Sequence, residues 1–206
     1  MAKLSFREDE RILIVAPHAD DEIIGCGGLI LNYGKQIDLL VLSDGSLGYS
    51  DRYPKEEIVR IRKEEMCSVY SSIELGDIFE LDLPDTHISE HGEEIMEFDM
   101  TGYDAVFIPN RYELHKDHRA VYPIITQLKE RQQARFRLFE YEVWTPLREY
   151  NYHLDITDVI EKKCAAVTGY QSQMYMFDYI SMIKGIDAYR GTFLWTRYAE
   201  VYYEET

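Results

Sequence analysis

Apolar residues come along the chain in short unbroken runs, separated by stretches of amphipathic spacing. Residues 11–16 (RILIVA) form a brief run rich in β-branched side chains, the mark of a strand buried on both faces. Residues 21–33 carry apolar side chains at near-helical spacing, and Gly34 is expected to cap that helix. A second buried strand is expected over 36–42, then a loop over 43–54 holding Gly45 and Gly48. A long helix over 55–75 closes at Gly76, and a third strand follows at 77–81. Residues 84–100 are polar, with a short helix expected over 92–100. A fourth strand is expected at 104–108, a loop at 110–117, a helix to about residue 133 and a fifth strand at 136–144. The C-terminal part reads as a short segment at 154–157, helices at 158–169 and 171–189, and a last strand at 199–203.

Strands that alternate with helices imply parallel βαβ units. Right-handed crossovers then favour a doubly wound α/β fold: a mostly parallel, Rossmann-like open sheet, strand order near 3-2-1-4-5, with helices on both faces. In that order the first and fourth strands are neighbours, and ligands bind in the crevice beyond their carboxyl ends. No repeat, low-complexity tract or linker divides the 206 residues. One domain over 1–206 is therefore expected, with disorder confined to Glu204, Glu205 and Thr206.

Charge narrows the partners. With 22 Lys and Arg against 38 Asp and Glu, the formal net charge is −16. Such a field repels phosphate backbones and argues against nucleic acid. Arg60, Arg62 and Lys63 form the one compact basic group near the candidate chemistry. A small-molecule substrate is the expected partner, with a homo-oligomer left open. The first ten residues are polar, and no segment has the apolar length of a membrane span, so a cytoplasmic protein is expected. Cys26, Cys67 and Cys164 are far apart and form no disulfide framework, which fits reduced thiols.

Two polar clusters follow the first and fourth strands: Pro17-His18-Ala19-Asp20-Asp21-Glu22 and His115-Lys116-Asp117-His118. His18 and Asp21, three apart in a turn entering a helix, can converge on one ion. A histidine from the second cluster completes two imidazoles and one carboxylate, a set that catalytic zinc sites use while leaving a fourth position for water. Ferrous iron takes the same donors, so ligand type alone does not choose between Zn2+ and Fe2+. Two adjacent carboxylates raise each other's pKa. If Asp21 is the ligand, Asp20 is free to act as general base and later return the proton to a leaving amine, which favours hydrolysis over oxygenation. His115, opposite Asp20, is expected to stabilise an oxyanion as a protonated imidazole, oriented by Asp117. Either cluster alone also reads as a surface turn, a solvated helix start or acidic residues complementing a helix dipole. Their joint place at two adjacent strand ends favours the site.

At these residues the sequence resembles the LmbE/PIG-L-like N-acetylglucosaminyl deacetylases. Their alanine-histidine-proline-aspartate-aspartate-glutamate motif appears here as Ala16-Pro17-His18-Ala19-Asp20-Asp21-Glu22, with the proline before the histidine rather than after it. His115-Lys116-Asp117-His118 matches the second histidine motif. Ser43-Asp44-Gly45, Arg62 to Glu65, Leu83-Pro84-Asp85, Tyr170-Gln171-Ser172-Gln173 and Tyr198-Ala199-Glu200 look like supporting signatures. The resemblance implies zinc held by His18, Asp21 and His118, Asp20 as base, His115 as oxyanion partner, and Arg62 and Asp85 as contacts to sugar hydroxyls. It also implies hydrolysis of the N-acetyl group of an N-acetylglucosamine-type conjugate. Where some members carry a tyrosine two residues before the position of His115, this chain has Glu113, next to Tyr112.

Two other readings remain. One keeps the metal and changes the substrate to a non-sugar amide, such as a thiol conjugate. The other is a non-catalytic sugar- or nucleotide-binding α/β module. Against the second, Gly25-Cys26-Gly27-Gly28 lies inside the first helix, where it suits close helix–sheet packing better than a phosphate loop. Trp144 and Trp195 are the tryptophans available to stack on a sugar ring.

Overall fold

The computed structural model describes residues 1–48 and 52–205. Tyr49, Ser50 and Asp51, within the expected loop at 43–54, and Thr206 lie outside the described residues. In chain order the elements are β1 (Ala2–Lys3), β2 (Ile12–Ala16), α1 (Asp21–Tyr33), β3 (Ile37–Ser43), α2 (Lys55–Tyr70), β4 (Ile78–Leu83) and α3 (Gly92–Met96). They continue with β5 (Ala105–Pro109), α4 (Lys116–Arg131), β6 (Arg137–Tyr141), β7 (Tyr152–Asp155), α5 (Ile160–Val167), α6 (Tyr179–Leu194) and β8 (Ala199–Glu204).

Among the described residues the strands form one sheet in the order β1-β7-β8-β6-β5-β2-β3-β4. The five from β6 to β4 pair in parallel and reproduce the expected 3-2-1-4-5 arrangement. β8 runs antiparallel to both β6 and β7, and β1 joins the far edge parallel to β7. The tail expected to be disordered is instead ordered through Glu205. Glu204 ends β8, and Glu205 accepts hydrogen bonds from Arg111 and Tyr122.

The unbroken apolar runs bury both strand faces. Along β2, Ile12, Ile14 and Ala16 enter one core, while Leu13 and Val15 enter the other. This is the period-two alternation of a pleated strand sandwiched between helix layers. The first core also takes in residues of α1, α5 and α6, and the second takes in residues of α3 and α4.

Several boundaries differ from the sequence expectation, each for a local reason. Helix α2 stops at Tyr70, because the Ser71 and Ser72 hydroxyls donate back to the Ser68 and Val69 carbonyls and end the ladder. β6 stops at Tyr141, because the amides of residues 143–145 bond to Glu113 rather than to a neighbouring strand. α6 begins only after Asp178, whose carboxylate caps Ser181. Gly34 is not in a left-handed cap (φ −46°). A Cβ there would lie 1.9 Å from the Glu74 carbonyl oxygen. Gly34→Ala should therefore lower stability by about 1–3 kcal/mol, read as a fall in Tm. An unchanged Tm would show that the 71–75 connection yields freely.

α1 is interrupted. Cys26 leaves helical geometry (φ −129°, ψ 17°). The amides of Gly28 and Leu29 donate instead to Glu200, at 2.6 and 3.0 Å. Glu200 also pairs with buried Lys163 at 2.8 Å, and Lys163 with Asp187 at 3.0 Å. Close packing explains the glycines here, since a Cβ would meet Tyr141 at Gly25, Lys163 at Gly27 and Ile156 at Gly28. No helix among the described residues is long and apolar enough to cross a membrane.

Candidate active site

β2 and β5 are neighbours, and the chain leaves them in opposite directions. A cleft of about 560 Å3 opens at their carboxyl ends. It collects His18, Asp20 and Asp21 after β2, Asp85 after β4, and His115 and His118 after β5, together with Arg62 from α2. A larger hollow of about 690 Å3, between the C-terminal ends of α1 and α2 and helix α5, holds none of these residues.

His18 is the hub. Its backbone amide donates to Asp21 Oδ2 at 3.0 Å, and its Nδ1 lies 3.2 Å from the same oxygen. Its Nε2 lies 3.2 Å from Asp85 Oδ1 and 3.4 Å from Asp117 Oδ2. Burial opposes charging of His18, but hydrogen bonds to Asp117, Asp21 and Asp85 outweigh it and raise its pKa well above the usual imidazole value. Burial likewise opposes ionisation of Asp85, and its hydrogen bond with His18 is the main influence holding its pKa down, to about 2. For Asp21, burial is overcome by His118 and His18, and its pKa is lowered.

His118 is 1% exposed, and neither of its ring nitrogens makes a hydrogen bond. Its Nε2 stands 3.1 Å from Asp21 Oδ2, close in distance but not aligned as a hydrogen bond. Buried polar atoms left in this state call for an explanation, and a cation is one. Two imidazoles meeting on one carboxylate oxygen form a donor set that fits a divalent ion. Among the described residues, two groups bring their donor atoms close enough to hold one: His18, His115 and His118, or His18, Asp85 and Asp117.

The turn that presents His18 and Asp21 is strained. Asp20 has φ 136° and ψ −29°, a conformation that L-residues other than glycine seldom adopt. Glu22 holds it. Fully buried, Glu22 accepts the Asp20 amide at 3.0 Å through one oxygen, and the hydroxyls of Tyr70 and Tyr170 at 2.8 and 2.7 Å through the other. The Asp20 side chain makes no helix cap and is left for the cleft. Burial pushes its pKa up against the nearby Arg62, and Asp21 and Glu22 add to the rise.

Arg62 donates to the Ala19 carbonyl at 2.8 Å and lies 3.5 Å from Asp20 Oδ2. The loop after β3 covers it closely. A Cβ at Gly48 would meet its Nη1 at 2.3 Å, and Gly45, at φ 60°, turns the chain over it. The expected basic group does not assemble. Arg60 pairs with Glu64, and Lys63 with Glu80 and Asp82.

Two expected roles change. The Asp117 carboxylate does not orient His115. It accepts the Thr86 and Ile88 amides at 2.8 and 3.3 Å and faces His18. The Asp117 amide, not its carboxylate, reaches His115 Nδ1, at 3.3 Å. Because that nitrogen accepts, a neutral His115 carries its proton on Nε2. Burial lowers the pKa of His115, and the charges of His18 and His118 lower it further, against the protonated form expected. Asp85 lines the cleft, yet both its oxygens are engaged, one with His18 and the other with the Leu47 amide at 2.9 Å.

Glu113 occupies the position two residues before His115. It is fully buried, and one oxygen accepts the amides of Val143, Trp144 and Thr145 at 2.9–3.1 Å. It thereby sets Trp144 at the cleft, whereas Trp195 is 99% exposed and does not line it. Leu114, Met176, Phe177 and Tyr179, which no motif marked, line the cleft as well.

A model of the PIG-L family, described as GlcNAc-PI de-N-acetylase, matches residues 13–129, more than half of the chain. The chain belongs to the PIG-L family. The matched span runs from β2 into α4 and so includes both histidine clusters of this PIG-L member. A diacetylchitobiose deacetylase of Thermococcus kodakarensis is 28% identical, over 84% of this chain and 76% of that protein. The structure of N,N'-diacetylchitobiose deacetylase from Pyrococcus horikoshii, in complex with an inhibitor, superposes with a TM-score of 0.79. It is 23% identical and covers 95% of this chain and 84% of that one. GalB, a 4-carboxy-2-hydroxymuconate hydratase from Pseudomonas putida, superposes at 0.73 with 16% identity, over 96% of both chains. The fold thus carries more than one reaction, and the chemistry of this PIG-L chain has to be argued from its site.

Proposed function

We propose that the cleft is the active site of a metal-dependent hydrolase that removes the N-acetyl group from an N-acetylglucosamine-type sugar or conjugate. The observation that carries this is His118, buried beside Asp21 and His18 without a hydrogen bond, in a chain of the PIG-L family.

His18, Asp21 and His118 would hold the ion, with zinc the proposed metal and ferrous iron suited to the same donors. When bound, such an ion supplies Lewis acidity that polarises the amide carbonyl and lowers the pKa of water. Asp20, held outward by the Glu22 clamp, takes a proton from the attacking water and returns it to the departing amine nitrogen. The Nε2–H of His115 donates to the oxyanion, and the Asp117 amide fixes that tautomer. Arg62 keeps Asp20 oriented and offers its guanidinium edge to sugar hydroxyls. Asp85 and Asp117 orient His18.

The purified protein should carry about one divalent ion per chain, and His118→Ala should lose most of it by elemental analysis. Unchanged occupancy in that variant would remove His118 from the ligand set. Activity is tested by acetate released from a panel of N-acetylglucosamine conjugates.

A further inference from the structure

A second strained residue stands at the cleft. Among the described residues, Asp20, Asp82, Thr86, Gln133 and Trp195 are the non-glycine residues at positive φ. Gln133 and Trp195 follow the ends of α4 and α6, where a left-handed residue commonly closes a helix. Asp82 lies where the register between β3 and β4 shifts, and aspartate tolerates this conformation. Thr86, at φ 68°, is the one β-branched residue among the five, and branching at Cβ makes the left-handed region a genuine outlier.

The bonds around Thr86 account for its backbone conformation but not for its side chain. The Thr86 amide donates to Asp117 Oδ2 at 2.8 Å, and the Ile88 amide to Asp117 Oδ1 at 3.3 Å. Just before it, the Asp85 amide donates to Asp44 at 3.1 Å, and the Asp85 carboxylate engages His18 and the Leu47 amide. None of these bonds uses the threonine side chain. Glycine would keep all of them and take the same φ without steric cost. A side chain held against the preference of its own backbone, at the wall of a cleft, points to a use in that cleft.

That use is legible in the hydroxyl. Thr86 lines the cleft and is half-buried. Its Oγ1 lies 3.3 Å from His87 Nδ1, which in turn lies 2.9 Å from the Asp85 carbonyl oxygen. A carbonyl only accepts, so His87 Nδ1 carries the proton, and the threonine oxygen accepts a share of it. The hydroxyl proton of Thr86 is then left to donate to a ligand. Thr86 follows directly on Asp85, which bonds His18, so this donor belongs to the same wall as the candidate metal ligands.

We propose that Thr86 is a substrate-binding residue whose hydroxyl donates to a ring hydroxyl of the amino sugar, and that the left-handed loop holds it in place for that contact. The inference rests on the deacetylase reading and adds a specificity-determining residue to it.

The test measures acetate release from the α-methyl glycoside of N-acetylglucosamine and from its 3-, 4- and 6-deoxy analogues, by the parent, Thr86→Gly and Thr86→Ser. Thr86→Gly should fold with a Tm no lower than the parent's, since φ 68° suits glycine. Its KM for the glycoside should rise about tenfold, the loss of one neutral hydrogen bond, with kcat unchanged because the bond serves ground and transition state alike. Thr86→Ser, which keeps the hydroxyl, should restore the parent's KM. With one deoxy analogue the glycine-to-parent ratio of KM should fall from about ten to about one, because that sugar lacks the partner, and this names the hydroxyl. A merely structural role would leave the ratio the same for all four sugars. An unmoved KM in the glycine variant, a serine variant that does not restore it, a ratio equal across the sugars, or a Tm lowered by more than about 4 °C overturns the assignment. If the parent releases acetate from none of them, the deacetylase reading fails. Calorimetry with the methyl glycoside then still decides on Thr86: binding about tenfold weaker in the glycine variant and restored in the serine variant upholds it, and equal affinity or no binding overturns it.

Discussion

Asp20→Ala should fold, keep its metal and lose deacetylation by on the order of 10²–10⁴ in kcat, the range that a positioned general base contributes. Asp20 lines the cleft without serving as a helix cap, and its carboxylate makes no bond that the fold requires. The adjacent Asp21, by contrast, faces His18 and His118. The two carboxylates are thus separated in role by geometry, and only one substitution should release the ion. Elemental analysis and steady-state kinetics on the same preparation read both quantities. Activity within tenfold of the parent would remove Asp20 from proton transfer. Loss of metal together with activity would make it a ligand instead.

Lys163→Met should cost about 3–5 kcal/mol, the usual result of stripping one partner from a buried ion pair. That is a large share of the roughly 5–15 kcal/mol that holds a domain folded. Lys163 is 1% exposed and lies between Asp187 and Glu200, which are themselves buried. Methionine keeps the apolar stem and leaves both carboxylates without a counter-charge. Burial already raises the pKa of Asp187 to about 7 with the lysine in place. In the variant the folded state holds carboxyl protons that the unfolded chain has released. Stability then falls as pH rises through neutrality and recovers as pH drops toward the unfolded carboxyl range. Urea midpoints at two pH values measure both effects. A loss under about 1 kcal/mol, well below the buried-pair range, would mean that water reaches the three groups.

The sheet was legible because its signal is local. Runs such as 11–16 and 104–108 are too short and too apolar to be anything but doubly buried strands, and their alternation with helices dictates the order. β1 and β7 were not legible as strands, since two- and four-residue edges carry no periodicity and exist through pairing alone. In the site, the clusters could be placed because each follows a strand end. Partner choice within them could not. That Asp117 turns to His18 rather than His115 depends on the Thr86 and Ile88 amides arriving from a different part of the chain. Glu22 was visible only as the closing residue of the first motif, and Glu113 only as an acidic residue beside the second. Their work is to receive tyrosine hydroxyls and backbone amides from far along the chain, for which one-dimensional spacing holds no signal.

The positive φ of Asp20 sets two selective pressures against each other. Judged by folding alone, glycine is the better residue at this position, because it removes a local penalty of about 1–3 kcal/mol. On the proposed mechanism, where Asp20 moves the proton, glycine there abolishes turnover. A lineage released from the need to deacetylate would drift toward glycine at position 20 and gain thermal robustness as it lost activity. On that mechanism, the residue at position 20 distinguishes a deacetylating chain from a scaffold of the same sequence otherwise.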